Sequence, residues 1–149
     1  MDKHHTIRIP AERKLQLDAI ANVVGTTSFS ATIATLIDLA REQGLVSHGI
    51  PGVTLNAFPD GLSIVFDEMP PVAMSPKGAA MMAQTIRAVV DGTEGAGAVV
   101  NLDHCFTVKR RGSGVRVALH ADGKEPTKTW SPDLASEFAD LIDHALATN

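Results

Sequence analysis

The sequence predicts an α+β protein in two parts: a β-α-α head that is dimeric, then a duplicated ββα-ββα unit with a four-stranded antiparallel sheet and two helices. Three observations carry this reading. An alternating stretch ends at a proline and is followed by two segments of helical period; a breaker-rich stretch interrupts the chain at residues 47–52; and one hairpin-plus-helix pattern then occurs twice.

The head comes first. Thr6-Ile7-Arg8-Ile9-Pro10 alternates polar and apolar residues, and Pro10 suits a helix start, so residues 6–9 read as one short strand. In residues 11–24 the residues Leu17, Ile20, Ala21 and Val24 form an apolar stripe, and Gly25 supplies the stop. Thr26, Thr27 and Ser28 offer capping hydroxyls before residues 29–43, where Phe29, Ile33, Leu36, Ile37 and Ala40 make a second stripe closed by Gly44. A lone strand leaves its backbone donors and acceptors without partners, so two copies pairing antiparallel are expected. Ile7 and Ile9 would then face the helices, and His4, Thr6 and Arg8 would project outwards. The plain alternative is that these elements merely open an ordinary α+β domain.

These residues resemble the ribbon-helix-helix family, to which the Arc and MetJ repressors belong. The resemblance rests on Thr6-Ile7-Arg8-Ile9-Pro10, Leu17-Asp18-Ala19-Ile20-Ala21, Gly25 and Ser28-Phe29-Ser30-Ala31-Thr32-Ile33, about a third of the chain. It implies a homodimer that lays a two-stranded ribbon in the major groove of operator DNA. His4, Thr6 and Arg8 would contact bases, with Arg8 suited to guanine. Lys3, Thr27, Ser28 and Ser30 would contact phosphates. His4 and His5 also offer a pH-sensitive contact beside the simpler reading as terminal residues.

The linker at residues 47–52 separates a head of residues 1–46 from a repeat domain of residues 53–149. Val53-Thr54-Leu55-Asn56-Ala57-Phe58, the turn Pro59-Asp60-Gly61, and Leu62-Ser63-Ile64-Val65-Phe66 signal a hairpin, and Ser75-Pro76 caps a helix through Val90. The pattern returns 53 residues later from Phe106, with the turn Gly112-Ser113-Gly114 before Val115-Arg116-Val117-Ala118-Leu119, and ends in a helix capped by Ser131-Pro132; Ala79, Ala83 and Ile86 meet Ala135, Ala139 and Ile142 at an offset of 56. The repeats span residues 53–90 and 106–147. Each alone has too little core, so both helices are expected on one face of a shared sheet.

Charge and chemistry narrow the function. The net charge of -4 disfavours unspecific adhesion to phosphate. Residues 1–48 are balanced, with Lys3, Arg8, Arg13, Lys14 and Arg41 against Asp2, Glu12, Asp18, Asp38 and Glu42, so the excess lies in the repeat domain. The single cysteine, Cys105, fits a reducing compartment, and no apolar run is long enough for a membrane span, so a cytoplasmic protein is expected. No phosphate loop, nucleophile elbow, HExxH or paired-cysteine motif occurs, so neither an enzyme nor a cofactor is expected. Residues 92–97 are glycine-rich but follow a helix, and read as a loop. Hairpin register puts His120 about across from Phe106 with His104 near by; soft metals accept His104, Cys105 and His120, but no further ligand is evident and no metal is expected.

Lys109, Arg110, Arg111 and Arg116 gather at the second hairpin's tip as a solvated turn or an auxiliary contact to phosphates or an acidic partner. Met69, Met74, Met81 and Met82 read as core fillers, and Trp130 as a hydrophobic staple beside the second helix. The leading expectation is a dimeric, sequence-specific transcriptional repressor. The competing one is a protein-interaction module or inhibitor, antitoxin-like, that dimerises through its N-terminal helices and binds a protein through the repeat domain.

Overall fold

A computed structural model describes residues 5–93 and 98–148. The chain divides into two compact units, Met1–His48 and Gly49–Asn149. No single helix among the described residues is long and apolar enough to cross a membrane.

In the first unit helices lead. Residues 5–10 carry no regular structure, and the first element is α1, Ala11–Val24. The expected strand at residues 6–9 is therefore corrected for the single chain: a strand exists only by pairing, and one head has no second strand to offer. Pro10 stands just outside the helix, with its carbonyl accepting from Lys14 N–H. Gly25 ends α1 in the left-handed conformation, φ 78°, a geometry that a Cβ disfavours. After a turn through 78°, α2 runs Phe29–Glu42, capped by Ser28, whose Oγ accepts from Ala31 N–H at 3.1 Å.

The second unit has seven strands and two helices: β1 Val53–Phe58, β2 Gly61–Phe66, β3 Val72–Met74, α3 Pro76–Asp91, β4 Ala98–Asn101, β5 Phe106–Arg111, β6 Gly114–Leu119, β7 Thr127–Trp130 and α4 Pro132–Ala147. They form two antiparallel sheets, ordered β1-β2-β3 and β4-β5-β6-β7. This corrects the single shared sheet: each hairpin takes its own third strand. Those third strands, of three and four residues, are too short to display an alternation.

The repeat extends to pairing register. Val53 faces Phe66 as Phe106 faces Leu119, at an offset of 53, and Leu62 faces Met74 as Val115 faces Trp130, where the strand partner is offset by 56. Gly61 and Gly114 occupy matching positions for one reason: a Cβ on Gly61 would overlap the Met74 carbonyl oxygen, and one on Gly114 would lie 2.9 Å from that of Trp130. The capping is less symmetrical. Ser75 Oγ accepts from Gly78 N–H at 3.0 Å, whereas Ser131 makes no side-chain capping bond.

Helices α3 and α4 pack on each other, and each also touches strands of both sheets. The largest core residues come from both repeats: Phe66, Phe106 and Phe138 are all fully buried. Trp130 lies against Phe138 and Phe66, with ring centroids 4.9 and 5.7 Å apart, so it fills the core shared by the repeats. Met74 and Met82 are buried, but Met69 and Met81 are exposed. Ile50, within the stretch expected as linker, is buried in this core.

Candidate nucleic-acid interface

Of the residues expected to contact bases, Thr6 and Arg8 lie exposed in the segment before α1. His4, with Lys3, falls outside the described residues. Among the described cations of the head, Arg13 donates to Gln16 Oε1 at 2.8 Å, Lys14 pairs with Asp18 at 2.9 Å, and Arg41 with Asp38 at 3.0 Å. Arg8 alone has no such partner, so its guanidinium keeps its full set of donors for an external acceptor.

Thr27, Ser28 and Ser30 come together at the start of α2. The Ser28 hydroxyl is engaged with Ala31 N–H, and Thr32 N–H is bonded to the Ser28 carbonyl. Thr32, at 2 % exposure the only residue of the described head that is fully buried, donates from its hydroxyl to the Ser28 carbonyl at 3.0 Å and shares a 2.7 Å bond with Thr26. This knot fixes the α1–α2 turn. Beside it opens a cavity of about 280 Å³, lined by Lys14, Asp18, Thr26, Thr27, Ser28 and Phe29 among others. Lys14, Asp18 and Thr32 were not among the expected contact residues; the signal in the sequence was the spacing of four that puts Lys14 and Asp18 on one side of α1.

The apolar face of the head is open. No apolar side chain of the described head is fully buried, and Phe29, Ile33 and Ile37, spaced by four along α2, remain 47, 38 and 39 % exposed. Ile7, at 77 % exposure, and Ile9 are likewise uncovered.

In the second unit, Arg110 leaves the cluster with which it was grouped. Its Nη2 donates to the Val90 carbonyl at 2.7 Å, at the C-terminal end of α3, where a cation complements the helix dipole. Lys109, Arg111 and Arg116 stay together. The metal candidates do not converge: among the described residues, no three His, Cys, Asp or Glu could hold an ion. Phe106 faces Leu119, so His120 lies across from Cys105 instead, one residue from the expected register; its Nε2 bonds Thr107 Oγ1 at 2.7 Å.

Comparison with family models, curated proteins and solved structures finds no match for this chain.

Proposed function

We propose that the protein is a dimeric, sequence-specific DNA-binding repressor whose two N-terminal segments pair as a ribbon in the major groove. The observation that carries this reading is the head's lack of a core of its own. An α-helix pair that leaves Phe29, Ile33 and Ile37 open to water needs a lid. A second copy supplies it, and the same pairing gives residues 6–9 the neighbour that a strand requires. Ile7 and Ile9 then turn inwards, and Thr6 and Arg8 outwards, on the face that a two-stranded ribbon presents to base edges. The start of α2 holds the adjacent phosphate, with Thr27, Ser28, Ser30 and the positive end of the helix. Repression follows from occupying the promoter.

Mobility shift against the DNA upstream of the protein's own gene tests this. Arg8→Ala is expected to weaken binding by about tenfold or more, in line with the roughly 1–3 kcal/mol of a bidentate base contact. Removal of residues 1–10 is expected to abolish preference for the operator over unrelated DNA. Unchanged binding in both variants would overturn the ribbon. The paired state of Arg13 and Lys14 favours the second reading, a protein-interaction module. A stable dimer with no affinity for DNA would establish that one in its place.

A further inference from the structure

The outer face of the β4-β5-β6-β7 sheet carries cations that the fold does not use. Along β5 and β6, Phe106, Val108, Val115, Val117 and Leu119 form the buried side, so alternation puts Thr107, Lys109 and Arg111 of β5 and Arg116 of β6 on the opposite side, where the small Ala118 is also buried. Lys109 and Arg116 are directly opposed across the hairpin, and Thr129 follows Arg116 on β7. Two like charges at opposed positions destabilise a hairpin. Two other cations of this unit are neutralised, Arg87 by Asp140 and Asp143 and Lys128 by Asp67, and Arg110 donates to the Val90 carbonyl. Among the described residues, Lys109, Arg111 and Arg116 are in no ion pair, and Arg116 Nε is shielded from water without a hydrogen-bond partner.

The repeat supplies an internal control. At an offset of 53, the positions of Lys109, Arg111 and Arg116 correspond to Asn56, Phe58 and Ser63, all uncharged, in the same pairing register. The hairpin therefore folds without these charges. Cations present in one copy, repelling each other in a chain of net charge -4, are placed for an external anion.

We propose that this face docks on the phosphate backbone of duplex DNA, as a contact separate from the head. The cations meet phosphates, and Thr129, across from Arg116, adds a hydroxyl donor beside them. No Phe or Trp lies on the face, so there is no platform for stacking the bases of a single strand. The ligand class rests on the DNA-binding reading of the head, but the residues do not.

Fluorescence anisotropy of the full-length protein with a labelled 20-base-pair duplex of arbitrary sequence tests this, comparing wild type, the double variant Lys109→Gln/Arg116→Gln, and Lys77→Gln on α3 as a control. The double variant is expected to flatten the plot of log affinity against log salt by about 1.8, at roughly 0.9 for each phosphate that is no longer neutralised. Its melting temperature should stay level or rise, because a repulsion is removed; the control should behave as wild type. An unchanged slope, an equal effect of the control, or a fall in melting temperature would overturn the proposal. So would tighter binding of single-stranded DNA of the same length, or equal binding of poly-glutamate. Repeating the series with Arg8→Ala separates the two readings: if Arg8→Ala leaves operator binding intact while the double variant still flattens the slope, the sheet contact stands and the ribbon fails.

Discussion

Arg87 spans α3 and α4 by donating to Asp140 and Asp143, both at 2.7 Å. Hydrogen bonding to Asp140 does most to raise its pKa above the ordinary arginine value, partly opposed by burial and aided by Asp143. A raised pKa stabilises the fold at every pH below the arginine range and is lost only as pH climbs through the folded value, so no alkaline melting from this bridge is expected in ordinary buffers. The side chain is 36 % exposed, and solvent screening limits its worth. Arg87→Ala is expected to cost about 0.5 kcal/mol in urea denaturation, and less in high salt. A larger residue effect lies at Gly61. Its Cβ would meet backbone that no rotamer change can move, so Gly61→Ala is expected to cost about 2 kcal/mol, and Gly114→Ala less, because its neighbour is further away. Thermal denaturation of the two variants checks the order. Both glycines were legible in the sequence as turn residues, but the close approach to β3 and β7 was not, because those strands themselves were not visible.

Among the elements, the helices were the most legible. Residues 11–24 and 29–43 show stripes of three and four with Gly25 and Ser28 at their ends, and the structure ends α1 and starts α2 at those residues, with α2 closing one residue early at Glu42. The hairpins were equally clear, through Pro59-Asp60-Gly61 and Gly112-Ser113-Gly114 between alternating runs. What escaped was pairing at a distance. Val72–Met74 has too few residues for a period, and Ala98–Asn101 follows a glycine-rich stretch that reads as loop. The metal candidates shifted for a similar reason: one residue of register decides which side chains share a face, and turn chemistry alone did not fix it. Arg110 was grouped with its neighbours in sequence, although alternation turns it to the other face. Element packing also yields a stability expectation. Phe66 of the first repeat touches Trp130 and Phe138 of the second, so Phe138→Ala is expected to cost about 3–5 kcal/mol. Because the ring belongs to both repeats' core, both sheets should then melt in one transition shifted to lower temperature. Separate transitions in circular dichroism would show that the repeats are independent.

At the scale of the whole molecule, the two units differ in what they bury. The second has a core of fully buried side chains, and the first has one buried threonine among its described residues. Stability of the head is therefore expected to depend on protein concentration, while that of the second unit does not. Ile37→Lys puts a charge into the open stripe of α2 and is expected to abolish the dimerisation proposed for the head, and the proposed operator-specific binding with it, leaving the second unit's melting temperature within about 2 °C of wild type. Sedimentation and calorimetry on the same sample check both halves of that statement.

The duplication has a further consequence during folding. Each helix of the second unit touches strands of both sheets, and the two repeats share one pairing register. A repeat from a neighbouring molecule can thus satisfy the same contacts as the repeat from its own chain. Refolding from concentrated denatured protein should yield domain-swapped assemblies that link one proposed head-paired dimer to the next and are separable from that dimer by their larger size. Slow dilution favours closure within one chain, because only the intermolecular route becomes rarer as the protein thins out.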